Sequence, residues 1–152
     1  SMNLREILQP ESVLLSLEPG SKEEIIERLV NVLPLDGDVD LRKEVYEAVL
    51  EREGVMSTGI GRGVAIPHAK TDSVKGLMAA VGISPEPVPF DSIDGKPVTL
   101  FFLIVSDSRT TSPHIKALSL ISRVLNDPTR KSVLTEATRV EDVLDALDIS
   151  DA

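Results

Sequence analysis

The residues of this chain best suited to chemistry are its two histidines, His68 and His114; there is no cysteine. His68 follows Pro67, whose ring fixes its own φ and favours extended backbone in the residue before it. A neutral imidazole is a good nucleophile near neutral pH and can accept a phosphoryl group reversibly. Reversible phosphoryl transfer is therefore a chemistry that His68 could perform.

Phosphoryl transfer also needs cationic and N–H-bearing groups around oxygens that gain negative charge. Arg52, at the end of a predicted helix, and His114, near the start of a later one, are the candidates. The free amides of a helix N-terminus favour anions, which suits the position of His114. Glycines at positions 59, 61 and 63 could add backbone amide donors ahead of His68.

Each of these features also has an ordinary structural explanation. A histidine after proline is often structural, a glycine-rich stretch is usually a turn, and an arginine at a helix end is commonly solvated. His114 is equally compatible with a purely structural place at a helix start. From residue types and spacing alone, structural and functional interpretations both remain open.

The sequence patterns typical of nucleotide-binding sites, metal-dependent hydrolases and serine hydrolases are not found. The glycines do not end in Gly-Lys-Ser/Thr and precede a strand, so neither a Walker loop nor a dinucleotide site is indicated, and no cofactor is expected. A metal-dependent hydrolase using both histidines would need further ligands at a recognisable spacing, and none is present. No Gly-x-Ser-x-Gly elbow indicates a serine hydrolase.

Helices are predicted on both sides of the histidine segment. Ser21 and Glu24 form a capping-box pattern, and the apolar residues that follow recur at helical spacing until Pro34. Further helices are predicted from residue 40 to about 54, from residue 112 onward, at residues 128–137 and at residues 140–147.

Strands are predicted in the middle of the chain, at residues 64–66, 77–83 and 98–105. The last is almost continuously apolar, as expected of a strand covered on both faces. His68 is predicted on the loop after the first of them. Together with the helices, these strands predict an α/β fold, a mixed sheet with helices packed on both faces.

The bulk properties narrow the function further. The 152 residues suit a single domain, placed at residues 3–149, with Ser1 and Met2 resembling the remnant of a removed tag. A net charge of −9 argues against nucleic-acid binding. No apolar run approaches the ~20 residues of a membrane helix, and no secretory signal is recognisable, so a cytoplasmic location without membrane insertion is expected.

A longer motif surrounds His68. The sequences EREG at residues 51–54 and STGIGRGVAIPHAK at residues 57–70 resemble the phosphoacceptor signature of enzyme IIA domains. These domains are of the fructose–mannitol type of the bacterial sugar phosphotransferase system. The strand at 98–105, the sequence PHIKAL at 113–118 and the closing VEDVL at 140–144 are similar to further parts of the same family. The resemblance covers essentially the whole chain.

The resemblance implies a role for each candidate residue. It implies that His68 accepts phosphate, at Nε2, from the phosphohistidine carrier protein HPr and passes it to an enzyme IIB. It places Arg52 and His114 at supporting positions near the phosphoryl group. The family fold, a mixed sheet flanked by helices, agrees with the fold predicted from the pattern. Phosphotransferase activity with a phosphohistidine intermediate is the expectation, without metal or cofactor.

A regulatory role is the alternative. The sequence STGIG at residues 57–61 most resembles the fructose-like and nitrogen-regulatory members of the family. No IIB, HPr or membrane portion is attached, which favours a free-standing regulatory enzyme IIA. Phosphorylation of His68 would then switch binding to a transporter, kinase or other regulator. The loop at residues 106–112 carries Arg109 where many relatives are more acidic, and it could contact such a partner.

Overall fold

The computed structural model describes residues 2–151 and consists of one sheet between two layers of helices. Over these residues the strands are β1 (Val13–Leu14), β2 (Gly59–Gly61), β3 (Val64–Ala65), β4 (His68–Lys70), β5 (Leu77–Val88) and β6 (Val98–Ser106). The helices are α1 (Lys22–Val30), α2 (Val39–Val55), α3 (Thr111–Leu125), α4 (Pro128–Glu136) and α5 (Val140–Ala146), with short 3₁₀ turns at Leu4–Ile7 and Pro10–Ser12. Ser1, assigned above to a tag remnant, lies outside the described residues.

The sheet is mixed, as predicted, and β6 is its central strand. The strand order is β1-β5-β6-β3-β2, with β5 antiparallel to β6 and β3 parallel to it. β4 also pairs with β6 in parallel, further along the same edge, with His68 opposite Ile104. The chain therefore follows one edge of β6 through two short strands, and the Pro67 carbonyl between them accepts the Ile104 amide at 3.1 Å.

Alternate residues of β6 build two separate apolar clusters. Leu100, Phe102 and Ile104 face a cluster that includes buried residues of α3 and α5. Phe101, Leu103 and Val105 face the other cluster, which contains buried residues of α1 and α2. Because successive side chains of a strand point to opposite faces, a continuously apolar strand must be covered on both. The predicted helices on both faces are confirmed.

The helix termini lie close to the positions predicted from the sequence. Ser21 caps α1 and forms the reciprocal capping box with Glu24. α2 begins one residue earlier than predicted, because the Asp38 side chain accepts from the Leu41 amide and caps it. None of the helices within residues 2–151 is long and apolar enough to cross a membrane.

The prediction that His68 lies on a loop was wrong. His68 is the first residue of β4, and its neighbours are bonded to β6 along the strand. A strand of three residues is too short to show the period-two pattern by which strands are recognised. The same reason explains why β1 and β2 were not predicted.

Candidate functional site

His68 is half-buried, and its hydrogen-bond partner shows which of its ring nitrogens carries a proton. Its Nδ1 lies 2.9 Å from the carbonyl oxygen of Ile66. A carbonyl oxygen can only accept a hydrogen bond, so Nδ1 carries the proton and donates it. The neutral ring then has its free lone pair on Nε2. Nε2 is therefore the ring nitrogen of His68 that is available to bond an electrophile.

The alternation of β4 decides which face of the sheet His68 occupies. Ala69 belongs to the apolar cluster that contains Val45 and Val49 of α2. His68 and Lys70, on either side of Ala69, therefore point to the opposite face, which α3 covers.

His114 lies on that face, in the first turn of α3. Its side chain is buried, with 3% of the residue surface exposed, and its Nδ1 lies 2.6 Å from the hydroxyl of Ser106. The His68 and His114 rings are 5.8 Å apart between centroids and meet edge to face at 71°. The fold thus brings together two imidazoles separated by 46 positions in the chain, 114 minus 68.

His114 is a neutral group at pH 7. Burial, and to a smaller extent the neighbouring His68 and Lys70, lower the pKa of His114 from 6.5 to about 4. A neutral imidazole has a single N–H to donate. His114 can therefore contribute one directional hydrogen bond to the site without adding a charge.

Arg52 is placed differently from the two histidines. It belongs to α2, which packs on the other face of β4, and its Nη1 donates to the carbonyl oxygen of Met56 at 2.9 Å. Within residues 2–151, no hydrogen bond joins its guanidinium to either ring. The structure brings His68 and His114 together, whereas the supporting role of Arg52 stays a prediction.

Lys70 is a member of this site that the sequence analysis missed. It points to the same face as His68, and its Nζ donates to the hydroxyl of Thr111, the first residue of α3, at 3.2 Å. Its charge contributes to the low pKa of His114. A prediction of β4 as a strand would have found it, because residues two apart share a face.

Glu53 is a second residue that the sequence analysis left without a role. It is 5% exposed, accepts from the Thr58 amide at 2.9 Å and from the Thr58 hydroxyl, and pairs with Lys22 at 3.0 Å. These contacts tie the end of α2 to the segment that leads to β2, and to the first residue of α1. The signal was an acidic residue on the buried stripe of α2, at four-residue spacing from Val49.

The glycine-rich stretch is a hairpin between β2 and β3. Gly61 and Gly63 have positive φ values of 93° and 78°, and Arg62 between them is also left-handed at 56°. Two amides of the stretch already have partners, since Gly59 donates to the Ser57 hydroxyl and Arg62 to the Asp94 carboxylate. The Gly59 and Arg62 amides are therefore occupied within the chain, and Gly61 and Gly63 adopt the left-handed backbone of the turn. Donation of amides of this stretch to an anion stays a prediction.

The arrangement as a whole suits an anion bonded to Nε2 of His68. The N–H of a neutral imidazole and a lysine ammonium lie on the same face as that nitrogen. Over residues 2–151, no three His, Asp or Glu side chains are grouped so that they could hold a metal ion.

Comparison with known proteins gives a consistent result. One family model matches residues 6–149, and its description is the phosphoenolpyruvate-dependent sugar phosphotransferase system, EIIA 2. The fructose-specific EIIA component of Haloferax volcanii is 40% identical over 136 residues, which cover 88% of this chain and 88% of that protein. A nitrogen regulatory protein of Bradyrhizobium diazoefficiens is 33% identical over 127 residues, covering 83% and 82%.

A longer relative contains a similar segment. The fructose-specific EIIABC component of Bacillus subtilis is 37% identical over 150 residues, which are 99% of this chain but 24% of that protein. The chain therefore spans about a quarter of the length of that relative.

Solved structures share the fold. Nitrogen regulatory protein IIA-Ntr from Neisseria meningitidis superposes with a TM-score of 0.86 at 33% identity, over 94% of this chain and 97% of that one. Enzyme IIA mannitol of Escherichia coli, in its complex with phosphorylated enzyme IIB mannitol, gives 0.77 at 24% identity over 92% and 96%. The sheet and its two helix layers are thus a fold found in several solved enzyme IIA structures.

Proposed function

The chain belongs to the EIIA type 2 family of the phosphoenolpyruvate-dependent sugar phosphotransferase system, and we propose that it carries its phosphoryl group on Nε2 of His68. The protein is then a phosphotransferase with a phosphohistidine intermediate. Its donor is an HPr-like phosphocarrier protein and its acceptor is an enzyme IIB component. The cytoplasmic location expected from the sequence remains part of this proposal.

The proposed reaction is an in-line displacement at phosphorus. The lone pair of His68 Nε2 attacks the phosphorus of the donor's phosphohistidine, and the donor's P–N bond breaks with its electron pair returning to the donor imidazole. In the second step a nucleophile of the IIB component attacks the same phosphorus. The Nε2–P bond breaks, and its electrons return to His68.

The hydrogen bond from His68 Nδ1 to the Ile66 carbonyl is the observation that carries this proposal. It leaves Nε2 as the ring nitrogen with a free lone pair, on a half-buried side chain that a partner can reach. His114 and Lys70, on the same face, are the groups proposed to stabilise the phosphoryl oxygens. Arg52 is proposed to join them when a partner docks, by exchanging the Met56 carbonyl for a phosphoryl oxygen.

Phosphate transfer from HPr tests the proposal directly. The protein is incubated with ³²P-labelled phospho-HPr, and the labelled residue is identified by mass spectrometry. We expect label on His68 and none on His68→Gln. We expect His114→Ala to be labelled about a hundredfold more slowly, since one donor to a developing oxyanion is removed. Circular dichroism of both variants controls for folding, and equal labelling of folded His68→Gln would overturn the proposal.

A regulatory function is a second candidate, because nitrogen regulatory proteins are among the relatives at 33% identity in both sequence and structure. Both functions use the same phosphohistidine, so labelling alone does not separate them. Incubating the labelled protein with a panel of IIB components does. Rapid loss of label to one of them indicates sugar transport. Retention of label, together with a target that binds only one phosphorylation state, indicates regulation.

A further inference from the structure

We propose that Ser106 is a positioning residue for phosphoryl transfer: its buried hydroxyl donates to His114 Nδ1 and thereby keeps the His114 proton on Nε2. The inference rests on the proposed function, since it concerns how His114 serves a phosphoryl group on His68. In this proposal Ser106, the last residue of β6, determines which of its two tautomers the His114 ring adopts.

The strand pattern fixes where the Ser106 hydroxyl points. Ser106 follows Phe102 and Ile104 at the spacing of one strand face, and those two side chains lie in the α3 cluster. Its backbone is held on both sides, opposite Leu77 of β5 and Lys70 of β4. The Ser106 residue surface is 0% exposed. The hydroxyl therefore meets α3 at a fixed place, 2.6 Å from His114 Nδ1.

The direction of this hydrogen bond follows from the hydroxyl proton. Within residues 2–151, His114 Nδ1 is the only hydrogen-bond partner of Ser106 Oγ. If Nδ1 carried the proton, the hydroxyl would have to accept, and its own buried proton would have no acceptor. A buried donor without a partner costs about 1–3 kcal/mol. Donation from Ser106 to an unprotonated Nδ1 avoids that cost.

The direction matters because His114 is neutral. A protonated imidazolium would donate from both nitrogens, but burial holds the pKa of His114 near 4, so the ring has a single proton at pH 7. With Ser106 donating to Nδ1, that proton is on Nε2, the nitrogen left for a phosphoryl oxygen. With the opposite tautomer, Nε2 would present a lone pair and repel the oxygen.

NMR of ¹⁵N-labelled protein reads the tautomer without any phosphate present. Long-range ¹H–¹⁵N correlation distinguishes a protonated from an unprotonated ring nitrogen. We expect wild-type His114 to be protonated at Nε2 at pH 7, and Ser106→Ala to populate both tautomers. Ser84→Ala is the matched control, because Ser84 is also a buried strand serine but donates to the Glu86 carbonyl. That variant should keep the wild-type His114 spectrum.

The same three proteins are then compared in phosphate transfer from phospho-HPr. We expect Ser106→Ala to be labelled about three- to tenfold more slowly, the effect of one hydrogen bond, with the label still on His68. Ser106→Thr, which retains the hydroxyl, should recover part of the rate and the wild-type tautomer.

The outcomes separate this inference from the proposed function. A wild-type His114 protonated at Nδ1 overturns the role of Ser106, and this result needs no variant to fold. An unchanged tautomer in Ser106→Ala also overturns it, as does a changed tautomer with an unaltered rate. Failure of the wild-type protein to accept phosphate overturns the proposed function instead, and leaves the tautomer measurement valid.

Discussion

At the scale of single residues, the two imidazoles of the site differ in what their surroundings leave available. The Ile66 carbonyl accepts a hydrogen bond from Nδ1 of His68, which leaves the lone pair on Nε2 of this half-buried ring. Burial keeps His114 uncharged, and its Nδ1 faces the hydroxyl of Ser106. Lys70 adds a nearby positive charge. The positive charge at the site is thus supplied by a residue other than the two histidines.

Replacing Lys70 tests how closely its ammonium is coupled to the histidines. Lys70→Gln should raise the pKa of His114, because one of the charges that lower it is removed. An NMR titration of the His114 ring resonances measures the change. Lys75→Gln is the control, since Lys75 is also exposed but is not among the causes of the low pKa. Equal titration of His114 in both variants would show that Lys70 is not coupled to the site.

At the scale of elements, the end of α2 is anchored by one buried carboxylate. Glu53 receives two hydrogen bonds from Thr58 and an ion pair from Lys22, at the start of α1. Lys22 also pairs with Asp91 at 3.3 Å and lies over the ring of Phe90. Four parts of the chain therefore meet at the Glu53–Lys22 pair, among them the segment that enters the hairpin before His68.

Removal of this carboxylate should loosen that junction. We expect Glu53→Ala to lower the free energy of unfolding by about 2–4 kcal/mol, because Lys22 and the Thr58 amide lose a buried partner. Glu51→Ala is the matched control on the exposed side of the same helix, with an expected change within about 0.5 kcal/mol. Urea denaturation measures both, and similar stabilities of the two variants would contradict the anchoring role.

The elements also differ in how well they could be predicted from the sequence. The capping box at Ser21 with the apolar residues after it predicted α1, and the apolar run of β6 predicted the central strand. Both patterns are local in the sequence and extend over many residues. The contact between His68 and His114 could be expected only from family resemblance. It depends on β4, whose three residues carry no periodicity. Lys22 is distant from Glu53 along the sequence, and the orientation of Ser106 toward His114 is set by strand register, so no local pattern encodes these two contacts.

At the scale of the whole molecule, the site makes stability depend on pH. The pKa of His114 is about 4 in the fold, below its ordinary value of 6.5. Between these values the unfolded chain binds the proton that the folded chain excludes, so stability rises with pH. The contribution of His114 is complete above pH 6.5 and is lost progressively as the pH falls toward 4.

A comparison of pH profiles should detect this contribution. Between pH 7 and pH 5, wild-type protein should lose about 2 kcal/mol of unfolding free energy through His114. His114→Asn lacks the titrating group and should lose correspondingly less over the same interval. Urea denaturation at several pH values gives both curves. Parallel curves for the two proteins would mean that His114 is not held neutral by the fold.

The hydrogen bond between His68 and the Ile66 carbonyl has a consequence for the energetics of the carrier state. In the proposed phosphohistidine, with the phosphoryl group on Nε2, the Ile66 carbonyl retains the proton on Nδ1, so the phosphorylated ring is cationic. A cationic ring departs as neutral imidazole, a far better leaving group than imidazolate. Under the proposed function, His68 would then receive and release the phosphoryl group without exchanging a proton with solvent, even when two proteins close over the site and exclude water.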